Sequence, residues 1–120
     1  MRILAIDDDS GLLRLYPRAL RGHEVIAVGP EEALELMKED DRFDVVICDL
    51  NLPRYGGRWF HERLVERARH LADRVVFCTG GGCDVEGWNI LESAPDRVVL
   101  KPFDSDHLRA VVARLEPELP

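Results

Sequence analysis

Much of what marks a membrane, secreted or nucleic-acid-binding protein is missing from this chain. No apolar run approaches the roughly 18 residues that a membrane span needs. Positive charge is in deficit, with 16 Lys and Arg against 23 Asp and Glu and a net charge of −7, which argues against nucleic-acid binding as the main role, since a phosphate backbone needs a basic face. Only Ile3 to Ile6 follow Arg2 before a block of acids, which is too short for a signal peptide. The three cysteines, Cys48, Cys78 and Cys83, are odd in number and show no CxxC spacing, the pattern of a reduced, cytoplasmic protein. Internal repeats and low-complexity segments are absent. Lysine is nearly absent too: Lys38 and Lys101 are the only two among the 16 basic residues, and the rest are Arg.

What is present is regular alternation. Apolar runs of strand length, RILAI at 2–6, HEVIAV at 23–28, FDVVIC at 43–48, RVVFC at 74–78 and RVVL at 97–100, alternate with helical patterns. The helical segments are expected at Ser10 to Leu20, Glu31 to Lys38, Trp59 to Leu71, Asp84 to Ser93 and Asp104 to Leu115. Asp9 or Ser10 caps the first, Pro30 starts the second with acids first and a base last, and Asp104 or Ser105 caps the fifth. Pro17 removes a hydrogen bond from the first helix and is expected to kink or shorten it. Five βα units imply right-handed crossovers and an α/β, doubly wound parallel sheet with helices on both faces. The expected domain is 1–116, with a short tail at 117–120.

Ligands of such open sheets sit outside the carboxyl ends of the strands. Four runs hand over to a polar residue at that edge: the first to Asp7 and Asp8, the third to Asp49, the fourth to Thr79 and the fifth to Lys101. Each has an ordinary reading as a cap, a turn residue or a solvated charge. Together they are harder to dismiss, because a chain that uses Arg almost throughout places one of its two lysines at this edge. A compact ammonium is not interchangeable with a guanidinium fork. Converging carboxylates that Lys101 neutralises only once would raise one another's pKa values and weaken the fold. A divalent cation resolves that conflict. All-oxygen ligands suit a hard ion such as Mg²⁺, held by one or two carboxylates together with phosphate oxygens.

The ordered set RILAIDDD, VVICDLNLP, VVFCTGG and VVLKPF resembles the receiver domain of bacterial two-component response regulators, over essentially the whole chain. The resemblance implies a (βα)5 sheet of flavodoxin-like strand order 2-1-3-4-5. It implies that Asp49 is the phosphoacceptor, taking a phosphoryl group from the phosphohistidine of a histidine kinase or histidine phosphotransfer protein, or from a small phosphodonor, to give an acyl phosphate. It implies that Asp8 ligates Mg²⁺ directly and Asp7 directly or through water, with Asp49 and the backbone carbonyl of Asn51 completing the set. Lys101 and Thr79 would contact the phosphoryl oxygens, and the Lys101–Pro102 bond would be cis. Such a domain catalyses its own phosphorylation and dephosphorylation without turning over an external substrate. The output surface, for a downstream protein or a second copy of the chain, would lie around Asp84 to Leu115, with no nucleic-acid or membrane contact by the domain itself.

Three features depart from the family pattern. Val98 stands where an aromatic residue usually reports phosphorylation, and valine is stiff at χ1 with no ring to move. The turn SAPDR resembles that of receivers attached to hybrid sensor kinases. Pro17 lies where many receivers meet their donor and points to a non-standard interface. The alternatives are a phosphorylation-independent binding module with the same fold, a hydrolase with an aspartyl nucleophile, and a flavin-binding relative. The second needs an Asp two residues beyond Asp49 and finds Asn51. The third finds acids where a phosphate-cradling loop would be. Cys48 and Cys78, the four histidines, Trp59 and Trp88 read as packing, surface or interface residues.

Overall fold

The computed structural model describes residues 1–116 apart from 53, 56 and 81–84, and the side chains at 57, 58 and 85–88 are likewise not described. The expected tail at 117–120, the first residue of the Asp84 to Leu115 surface, Cys83 and the indole of Trp88 therefore lie outside the described residues.

Five strands, β1 (Arg2–Ile6), β2 (Glu24–Val28), β3 (Val45–Cys48), β4 (Val75–Thr79) and β5 (Val98–Leu100), form one parallel sheet in the order β2-β1-β3-β4-β5. Between and after them run α1 (Ser10–Ala19), α2 (Pro30–Glu39), α3 (Gly57–Arg67), α4 (Val85–Ser93) and α5 (Ser105–Ala113). The side chains of β1, β3 and β4 alternate between two buried layers, which is why these runs are apolar without interruption. Leu4, Ile6, Val46, Cys48, Val75 and Phe77 pack against α2, α3 and α4. Ile3, Ala5, Val45, Ile47, Val76 and Cys78 pack against α1 and α5 on the other face. Cys48 and Cys78 are free, buried and on opposite faces of the sheet.

Local chemistry sets the helix limits. The Asp9 carboxylate accepts hydrogen bonds from the backbone N–H groups of Gly11 and Leu12, and Asp104 accepts from Asp106, so both expected caps are in place. Helix α1 runs through Pro17 and stops at Ala19, and Gly22 takes the positive φ of 94° in the turn that follows. Helix α3 ends at Arg67 rather than at Leu71. Ala68 leaves helical geometry with φ −144° and ψ 83°, and Arg69–Leu71 form a separate 3-10 turn that still buries Leu71. Strands β2 and β3 start one and two residues later than their apolar runs. His23 instead pairs its Nδ1 with the amino terminus at 3.0 Å, and Phe43 lies under the Arg2 guanidinium. Trp59 is not a core residue: it is 45% exposed, stacked on Tyr55 and covered by Arg63. Among the described residues no helix is long and apolar enough to cross a membrane.

Candidate functional site

The sheet register brings the strand-end residues together. Ile6 pairs with Cys48, so Asp7 and Asp49 emerge side by side, with the Asp49 N–H donating to the Ile6 carbonyl at 3.4 Å. Thr79 pairs with Leu100, and the Lys101 N–H donates to the Thr79 carbonyl at 2.9 Å. Asp7, Asp49 and Lys101 each follow a strand's last residue. The two-residue alternation sends all three side chains toward the layer shared with α1 and α5.

There Lys101 Nζ donates to Asp7 Oδ2 at 2.6 Å and to Asp49 Oδ2 at 2.8 Å. Asp7 is fully buried and Asp49 is 5% exposed. The second oxygen of Asp7 accepts from the Asp9 N–H at 3.0 Å, and Oδ1 of Asp49 accepts from the Asn51 N–H at 2.9 Å. Asp8 is exposed, yet one carboxylate oxygen from each of Asp7, Asp8 and Asp49 lies within 4.8 Å of the others. Thr79, whose carbonyl accepts from Lys101, is fully buried at the end of β4, and among the described residues its Oγ1 has no hydrogen-bond partner. The Lys101–Pro102 bond is cis.

Electrostatics follow from the crowding. Partial desolvation pushes the Asp8 carboxyl above its ordinary range; Asp7 adds a hydrogen bond and a like charge, and the charge of Asp49 acts in the same direction. Burial alone would lower the Lys101 pKa, but its hydrogen bonds to Asp49 and Asp7 and their charges outweigh that and raise it. Three carboxylates and one ammonium leave a surplus of two negative charges, all on hard oxygen donors. That donor set fits a hard divalent cation and offers nothing to a soft one. An acidic cleft of about 350 Å³ opens from Asp7 and Asp8 past Gly29, Glu31 and Glu32 to Arg54.

Asp7, Asp8, Asp49 and Lys101 therefore converge, with the Asn51 N–H bound to Asp49 and Thr79 joined through its backbone carbonyl. Two others had not been singled out. Tyr16 is fully buried, and its hydroxyl donates to Asp7 Oδ2 at 3.4 Å. Burial, then Cys78 and the charges of Asp7 and Asp49, push that hydroxyl far above its usual range, so it remains a donor. In sequence it was one member of a helical apolar stripe. Arg54 holds φ +70° at the cleft's rim, 3.7 Å from Glu31, and no local pattern announces it. His61 packs on Phe77, whereas His70 and His107 are exposed, in keeping with packing and surface roles.

Comparison with known proteins agrees with this geometry. The family model described as the response regulator receiver domain matches residues 3–113. The response regulator protein FleR of Pseudomonas aeruginosa is 28% identical over 115 residues, covering 94% of this chain and 24% of FleR. The crystal structure of a response regulator receiver domain protein from Clostridium thermocellum is 26% identical, with TM-score 0.77, covering 95% of this chain and 92% of that one. The BeF3-activated DrrB receiver domain is 26% identical, with TM-score 0.72, covering 95% of each chain. The chain spans about a third or less of the length of the curated relatives it matches.

Proposed function

The chain belongs to the response regulator receiver family of two-component signalling, and from that premise we propose that Asp49 is its phosphoacceptor. The observation that carries this reading is the nearly buried Asp49 carboxylate, held between Lys101 and the Asn51 N–H beside two further acids. Receiver domains of response regulators interact with histidine kinases and phosphotransfer proteins, so the donor is a phosphohistidine. An Asp49 oxygen forms a bond to phosphorus as the P–N bond breaks. The imidazole leaves with that electron pair, neutral when its other nitrogen carries a proton, and an acyl phosphate remains on Asp49. Lys101 supplies positive charge to the phosphoryl oxygens, and Thr79 supplies its free hydroxyl. Work of this kind is mainly positioning and charge compensation.

Mg²⁺ fits the donor set. Asp8, Asp49 and the Asn51 carbonyl would hold it, with Asp7 taking part through water because Lys101, Tyr16 and the Asp9 N–H already engage its oxygens. When bound, the ion neutralises the charge that gathers as the phosphoryl group meets three carboxylates. The domain is taken as 1–116, in the cytoplasm. The output face is taken as the apolar surface of α4 and β5, where Leu100 is 63% exposed and Leu91, Pro95 and Val98 line a shallow cavity of about 300 Å³.

Incubation with acetyl phosphate and Mg²⁺, followed by intact-mass measurement, tests the central step. The wild-type protein gains one phosphoryl group, and Asp49→Asn and Asp49→Ala gain none. Label on either variant, or none on the wild type, overturns the assignment and leaves the phosphate-independent binding module in its place.

A further inference from the structure

Asp7 is fully buried, and the hydrogen bonds that its carboxylate makes in this structure come from the protein. Three groups supply them: Lys101 Nζ, the Asp9 N–H at the cap of α1, and the Tyr16 hydroxyl two turns further along the same helix. Of these, Lys101 is shared with Asp49. On the function proposed above, phosphorylation of Asp49 brings new anionic oxygens within reach of that ammonium. Asp7 and the phosphoryl group then compete for it.

We propose that Tyr16 is a positioning residue of this site, whose hydroxyl holds Asp7 as Lys101 is drawn onto the phosphoryl oxygens. Its bond to Asp7 is long at 3.4 Å while Lys101 sits on the same oxygen at 2.6 Å, which is the order expected when the stronger donor dominates. As Lys101 turns away, the hydroxyl closes on the carboxylate. The Tyr16 ring also stacks on Phe103, with centroids 5.5 Å apart and planes inclined by 14°. One side chain thus grips the carboxylate that Lys101 leaves and braces the segment two residues beyond Lys101. Val98, half-buried on β5, has no ring with which to do either.

The proposal rests on Asp49 phosphorylation, and the test separates the two. Autophosphorylation by acetyl phosphate is followed by intact mass in wild type and in Tyr16→Phe, which keeps the ring and its stacking and removes only the oxygen. The variant's rate at saturating donor falls about tenfold, the low end for a hydrogen bond to a charged group, while the half-saturating donor concentration stays unchanged. In wild-type protein labelled with ¹³C at the tyrosine Cζ, the Tyr16 resonance moves on addition of beryllofluoride with Mg²⁺. This second measurement decides the matter even if Tyr16→Phe folds poorly. A wild-type rate in Tyr16→Phe, or a Tyr16 resonance indifferent to beryllofluoride, overturns the positioning role alone. A wild-type protein that gains no phosphate overturns the reading beneath it as well.

Discussion

Replacing Lys101 with methionine is the sharpest perturbation of the resting fold. Methionine keeps much of the side chain's length and removes the charge and all three donors. Two carboxylates lose their shared partner: Asp7, with no exposed side-chain surface, and Asp49, with 6%. Breaking a buried ion pair from one side costs about 3–5 kcal/mol, because the remaining charge stays behind uncompensated. Lys101 is itself 16% exposed, and partial solvation lowers that cost to about 2–4 kcal/mol. For a domain of this size that lowers the melting temperature by roughly 8–15 °C. Urea denaturation at neutral pH in EDTA measures it. The gap narrows at saturating Mg²⁺, because the variant has one more uncompensated negative charge to offer the ion. The sign with pH is fixed by the raised Lys101 pKa. Its contribution is whole below 10.5 and is lost as pH rises through the higher folded value. A variant within about 0.5 kcal/mol of wild type, or one that Mg²⁺ stabilises less than wild type, refutes the reasoning.

Asp8→Asn should weaken Mg²⁺ binding tenfold or more by titration calorimetry. Without metal it should stabilise the fold slightly, by under about 1 kcal/mol because the group is largely exposed. A raised carboxyl pKa means stability lost as pH climbs from 3.8 through the folded value, so the advantage of Asn vanishes below 3.8. Pro17→Ala restores an N–H to α1 and takes a proline ring out of the helix interior; thermal melting should rise by several degrees, on the order of 1–3 kcal/mol. Burial, aided by the Arg97 charge, holds the His61 pKa below 6.5. The unfolded chain therefore takes up its proton first on acidification. Stability is lost as pH falls through 6.5 toward the folded value, and His61→Phe should flatten that slope in urea midpoints measured from pH 8 to 5.

Strands were legible because their packing is symmetric. A run buried on both faces must be apolar at every position, and RILAI at 2–6 was read to the residue. Boundaries failed where apolar character and hydrogen-bond register part company. His23 and Phe43 look like strand residues but serve the amino terminus and Arg2. Leu71 keeps a helical spacing from α3 although a break at Ala68 separates them. The acids, Thr79 and Lys101 were legible for a geometric reason: parallel strands end at one edge, so polar residues closing apolar runs are neighbours before any coordinates are known. Tyr16 was not, because a hydroxyl in a helical apolar stripe reads as packing until the distance to Asp7 is seen. Arg54 was not, because its place at the cleft depends on a backbone turn with φ +70°.

Asp7, Asp8 and Asp49 share a single locus but differ in access: one is sealed, one is open and one lies between them. Three equivalent carboxylates would compete for the same lysine and the same ion. Graded burial divides the work. The sealed Asp7 depends wholly on protein donors and so fixes Lys101 and the start of α1. The open Asp8 can exchange water for a cation at little cost. Asp49 is desolvated enough to make its charge interact strongly with Lys101, and it stands at the sheet's edge where a donor can arrive.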